Sequence, residues 1–348
     1  MADSAASKPP GLIVRATAWA LTLKPVRTWL LYVETRGFML ADSITYRTLF
    51  SVFAGVLLGF SLAALWLSDN PVAWQALIDG VDAAIPGLLG GDNPLIDPSL
   101  IEAPDALNVA GILSLIGLIG AAIGAIGSLR IALRTLANRL ADDIFWVWVI
   151  LRNLLLAIVL GGLLAVAAGA TYIGSSLIGV VRGWLGLSAG NPLVEGGVTA
   201  FSITVVFVLD AVVIALMFRW LSGLRPSARS LWSGALLGAV GLSVLQQLSS
   251  LFVRGASANP LLATFASLIA LLLWLNLSSQ VILIAGAYIV TSVEEETDRV
   301  KARFGAATFA QRRVRRAEIA VVVATTELQV ARREEAKERG VEEQGVKT

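Results

Sequence analysis

The chain has 348 residues, of which 56% are hydrophobic and 15% charged, with a mean hydropathy of +0.77. Soluble domains carry about 25% charged residues, so a soluble enzyme is excluded. There is no Cys and no His, which removes disulfides, thiolate nucleophiles and imidazole-based metal sites or bases. The 27 basic and 25 acidic side chains nearly cancel to +2, so where the charges lie matters more than their sum.

Residues 1–11 read as a loose polar tail. No cleavable signal peptide is expected, because Arg15 interrupts the first apolar run. Over residues 13–38 apolar side chains alternate with Arg15, Lys24, Arg27, Glu34 and Arg36, and Pro25 splits the run. Trp19, Trp29 and Tyr32 beside those charges predict amphipathic helices on the membrane surface.

Six segments are then long and apolar enough to span: about 41–67, 106–129, 153–181, 197–218, 231–253 and 261–293. Only helices and closed barrels satisfy their backbone in lipid, and the alternating pattern of a barrel is missing. The predicted class is all-α: a six-helix polytopic bundle, preceded by amphipathic helices at 1–40 and followed by a charged tail at 294–348. The pairs Gly55/Gly59, Gly120/Gly124 and Gly234/Gly238 have helix-packing spacing. They predict a tight bundle and offer a surface for a homo-oligomer.

Topology follows from the flanking charges. Residues 68–105 hold seven acidic side chains and no Lys or Arg, whereas Arg130, Arg134, Arg139 and Arg152 fill the next connection and Arg219, Arg225 and Arg229 another. Both termini are therefore expected in the cytoplasm, with 68–105 outside. That outer segment reads as a short surface helix followed by an irregular loop. The tail, with 12 basic and 11 acidic residues, reads as an exposed helix with a disordered end.

Three stretches in succession carry a family resemblance. They are Ala41-Asp42-Ser43-Ile44-Thr45-Tyr46 leading to Ser51-Val52-Phe53, then Arg219-Trp220-Leu221 with Pro226 and Trp232-Ser233-Gly234-Ala235, and then Leu273-Trp274-Leu275-Asn276-Leu277-Ser278-Ser279-Gln280 with Gly286-Ala287. Together they resemble the YihY/BrkB family of bacterial inner-membrane proteins over residues 41–293. The resemblance implies six helices with both ends inside, and a part in handling envelope lipids. Members once carried a ribonuclease label. The chain departs from the family pattern at Ala54, where Pro is usual, and at Tyr288, where an acidic residue is usual.

Asp210 is the sharpest single candidate. A central Asp costs about 2.5–3.5 kcal/mol to insert. The thirteen Leu, Ile, Val and Phe residues of 198–218 offset it, at roughly −0.3 to −0.6 kcal/mol each. The carboxyl then needs the bundle interior or a wet cavity, either as an ion or headgroup contact or as structural glue. Asn276 and Gln280 share one face of the last span, Gln246 lies in the fifth, and Asp42 and Tyr46 stand at the entry to the first. A polar path built from these six is the working expectation. Amides bonded across helices as simple glue are the competing one. Arg312, Arg313, Arg315 and Arg316 form the best basic cluster, read as contact with anionic headgroups or as a solvated charged face.

Transport or handling of an envelope component such as a lipid leads the functional readings. A non-catalytic scaffold is the alternative. An enzyme, including a ribonuclease, is the least favoured, since metal-dependent nucleases need grouped carboxylates. Membrane lipids are the expected partners. No cofactor, metal or nucleic-acid partner is expected.

Overall fold

The computed structural model describes residues 12–67, 109–139, 147–163, 192–257 and 266–338, with a few isolated positions between 72 and 79. The expectations for residues 1–11, for the outer segment 68–105, for the second half of the third predicted span and for the last ten residues of the tail lie outside the described residues.

Every regular element among the described residues is a helix. Helix α1 (Leu12–Thr22) stops at Leu23, whose extended backbone (φ −76, ψ 128) lets Pro25 enter the first turn of α2 (Lys24–Glu34), where its missing N–H costs nothing. The chain turns at Arg36 (φ 56) into α3 (Gly37–Leu67). Helix α4 is Val109–Leu136, α5 Val147–Leu163, α6 Pro192–Leu221, α7 Ala228–Ser257 and α8 Ala266–Thr297. A short α9 (Arg299–Phe304) and a 30-residue α10 (Phe309–Glu338) complete the order.

Four helices among the described residues are long and apolar enough to cross a membrane, through Ile119–Leu136, Ile203–Leu221, Ala228–Leu248 and Leu268–Thr297. Helices α4 and α8 outrun the spans predicted from the sequence. Helix α4 continues past Leu129 to Leu136 and carries Arg130 and Arg134, while α8 continues through Glu294, Glu295 and Glu296. Hydropathy marks the lipid-matched part of a helix, whereas backbone hydrogen bonding continues until a cap ends it. For α4 that cap is Asn138 in the left-handed region (φ 51), with the Arg139 N–H donating to the Arg134 carbonyl at 2.9 Å.

Helix α8 is the hub, packed against α7, α3, α2, α9, α4 and α6. The largest core gathers at one end of the bundle. Tyr32, Ala41, Leu133, Leu136, Leu156, Phe218, Leu221, Leu283 and Val290 meet there, so α3 begins at the end where α4, α6 and α8 finish. Helix α7 begins there too. Ser227 and Ser230, at its N-terminus, donate to Glu296 at 2.6 and 2.7 Å, where an anion is favoured by the helix dipole. The α7/α8 contact is backbone-close because it is built on glycine. A Cβ at Gly238 would stand 2.7 Å from Ile214 Cδ1 and 2.8 Å from the Ala285 Cβ, and one at Gly241 would stand 2.7 Å from Val281 Cγ1.

The Gly234/Gly238 face is thus occupied within the chain, whereas a Cβ at Gly120 meets nothing. Helix α2 also differs from a helix merely resting on a surface. It buries Arg27, Thr28 and Tyr32 against the hub, while α1 leaves Ile13 and Trp19 exposed.

Candidate functional site

Two sets of polar side chains lie at one depth of the bundle. In α6, the Asp210 carboxylate accepts a hydrogen bond from Gln246 Nε2 of α7 at 3.3 Å. In α8, Asn276 Nδ2 donates to Asp42 of α3 at 2.7 Å and lies 3.4 Å from the Thr45 hydroxyl. The Asn276 carbonyl in turn accepts from Gln280 Nε2 at 2.6 Å, a one-turn spacing that puts both amides on one face.

The antiparallel register of α7 and α8, with Gly238 against Ala285 and Gly241 against Val281, carries Gln246 to the level of Asn276. At 1.5 Å per residue, Asp210 stands about 14 Å from Arg219 at the foot of the same helix, near half the thickness of a roughly 30 Å hydrocarbon core. The structure therefore groups Asp210 with Gln246, and Asp42 with Asn276 and Gln280. Tyr46 stands apart from both. It is exposed at the bundle surface with its ring against Phe50 at 5.1 Å. Thr45, absent from the sequence-derived set, belongs with Asn276.

A second polar assembly lies at the core-packed end. Glu34 of α2 receives two arginines from α10: Arg312 Nε at 2.6 Å and Arg316 Nη1 at 2.9 Å. Arg27, 5% exposed, pairs with Glu295, and Lys24 lies 3.9 Å from the same carboxylate. The Lys24 ammonium also sits 4.1 Å above the Tyr288 ring, so the aromatic at this position meets a cation on its face.

Between α2, the end of α8 and α10 a small open cleft is lined by Arg27, Glu34, Glu294, Arg312, Arg315 and Arg316 among others. Of the four tail arginines, three line this cleft, while Arg313 is exposed. Sequence reasoning did not find Glu34 as their acceptor. The signal was the i, i+4 spacing of Arg312 and Arg316, which lets one carboxylate serve both.

Tyr32 belongs to the apolar core at the same end of the bundle. Its ring is fully buried, lies in edge contact with Phe38 at 5.0 Å and covers Gly37 so closely that no side chain fits there. Burial, with a smaller push from Asp42, raises its phenol from 10.0 to about 12, because leaving water disfavours the anion.

No curated protein and no solved structure matches the chain. A family model described as Virulence factor BrkB matches residues 28–308, a stretch that runs from α2 through the hub helix to the start of α10. With most of its length matched, the chain is an integral membrane protein belonging to the BrkB virulence-factor family.

Proposed function

We propose that this chain is a six-span protein of the bacterial inner membrane that transports or handles an envelope component such as a lipid. Helices α3 to α8 supply the six crossings, with 1–40 and 294–348 as cytoplasmic flanks and 68–105 outside. Supporting this reading, the segments before α3 and after α8 meet at one end of the bundle, where Arg312 reaches Glu34. Arg130, Arg134 and Arg219 lie at that end too, as the positive-inside rule requires of a cytoplasmic face. That basic end is where anionic headgroups of the inner leaflet would be met.

The observation that carries the transport reading is the pair of amide-held carboxylates, Asp210 with Gln246 and Asp42 with Asn276. A bundle made only to be stable would insert better with apolar residues at both places. No hydrolytic activity is assigned. Each of these carboxylates faces an amide rather than another carboxylate, which suits binding better than two-metal chemistry.

The test is lipid translocation in proteoliposomes containing fluorescent phosphatidylglycerol, read by dithionite quenching. The intact protein is expected to expose inner-leaflet probe. Asp210→Asn is expected to fold normally and lose at least fivefold in rate. Wild-type protein no faster than empty vesicles, or Asp210→Leu with full rate and unchanged stability, would reject the reading. A scaffold remains the second reading, favoured by the long docked helix α10. It predicts that deleting residues 309–348 abolishes the cellular role and leaves translocation unaffected.

A further inference from the structure

Helix α10 has two faces with different fates. Arg312, Arg315, Arg316 and Ile319 line the cleft against α2 and α8. At about 100° per residue these four occupy an arc centred roughly 160° from a second stripe, formed by Val314, Ala317, Val321, Ala324, Leu328 and Ala331. All six residues of that stripe are exposed, Val314 by 59%, Val321 by 61% and Leu328 by 49%. Their spacing alternates three and four, the a/d pattern of a coiled coil.

The a positions are Val314, Val321 and Leu328. The d positions are all alanine, which lets two helices approach closely. The flanks are charged in a complementary way. With Val314 as a, Arg313 and Glu327 fall at g, and Glu318 and Arg332 fall at e. In a parallel, in-register pair each g faces the e five residues on in the other chain. Arg313 then meets Glu318 and Glu327 meets Arg332, twice each by symmetry. An antiparallel pair would instead set Glu318 opposite Thr325 and Arg332 opposite Gln311, and keep only Arg313 with Glu334.

We propose that the outward seam of α10 is an interaction surface for a second copy of this chain, joined as a parallel two-stranded coiled coil. The g/e charge pairing selects the parallel orientation over the antiparallel one. The seam is short, about 26 Å from Val314 to Ala331, and free peptides of that length associate weakly. Here each helix is tethered to a membrane-embedded body through Glu34, so confinement in one membrane supplies the effective concentration. The docked arginines lie on the opposite face, so dimerisation and docking do not compete.

The full chain has no native Cys, so single cysteines report cleanly. Val314→Cys and Leu328→Cys, each alone in proteoliposomes, are expected to form disulfide-linked dimers on oxidation. Adding Arg313→Glu is expected to lower the Val314→Cys cross-link at least threefold, and adding Glu318→Arg as well is expected to restore it. Thermal stability of the bundle should not move in either variant. Three results would overturn the proposal: no cross-link at either position, cross-links only between Val314→Cys and Ala331→Cys chains, or protection of the cysteines by lipid rather than by a second copy. Loss of the cross-link in Arg313→Glu without recovery in the double variant would also overturn it, since the charge pairing would then be wrong.

Discussion

Asn276 is the residue that joins the polar turn Asp42–Thr45 of α3 to Gln280 of α8. It donates a hydrogen bond to Asp42 and accepts one from Gln280, so Asn276→Ala removes both bonds. Hydrogen bonds between membrane helices contribute about 0.6–2 kcal/mol each, and a loss of that order is expected as a lower thermal midpoint in detergent. Tyr46→Phe should be silent in the same assay, because the ring remains on Phe50 and the hydroxyl lies at an exposed position. Tyr32 makes a different prediction. The fold favours its neutral phenol, so its contribution to stability is intact below about pH 10 and is lost as the pH rises through about 12. In an alkaline absorbance titration of the four tyrosines, Tyr32 should ionise late, and Tyr32→Phe should remove that late phase.

Helices meet in this bundle in two ways that respond differently to substitution. Where α7 lies on α8, Gly238→Ala forces a methyl against Ala285 and Ile214 and should cost about 1–3 kcal/mol through overpacking. Gly120→Ala finds open space and should be neutral or stabilising by about 0.4–1 kcal/mol. Where α10 lies on α2, the contact is ionic and partly exposed, and such pairs contribute about 0.2–1 kcal/mol. Glu34→Gln should therefore leave the bundle folded while trypsin cleaves the tail faster, an effect that high salt reproduces in the parent chain. The existence and class of these helices were legible, since an apolar run of about twenty residues has few other solutions. Their ends were not. Arg130 and Glu294 look like boundaries by charge, yet each continues a helix whose other faces are already packed.

The molecule as a whole is organised by its two ends. A reporter fused after Thr348 is expected to be active only in the cytoplasm, and one placed within residues 92–105 only outside. An external C-terminus would require an odd number of crossings. Alternating charge is what carries this expectation, because each connection advertises its side independently of the rest. The polar pairs were readable only as a list of residues. Asp42 and Asn276 are 234 positions apart, and Glu34 and Arg312 are 278 apart. Nothing local distinguishes these matches from the other amides and arginines. Only the packing of α3 and α2 on α8 decides them.

That dependence on α8 sets an order of assembly. Ribosomes deliver this chain from its N-terminus, so α2, α3, α4, α6 and α7 are all made before the hub helix they touch. Asp42 and Asp210 reach lipid early, Asp210 before Gln246 and Asp42 more than two hundred residues before Asn276. Until residue 297 has left the ribosome, Arg27 has no Glu295 and Ser227 and Ser230 have no Glu296. The pairs α3 with α4 and α6 with α7 can form before α8 is made, and α8 then joins them into one bundle in a late step. A chain cut short before Ala266 would keep those two pairs and lose the helix that joins them, leaving quality-control proteases with separate parts of a bundle.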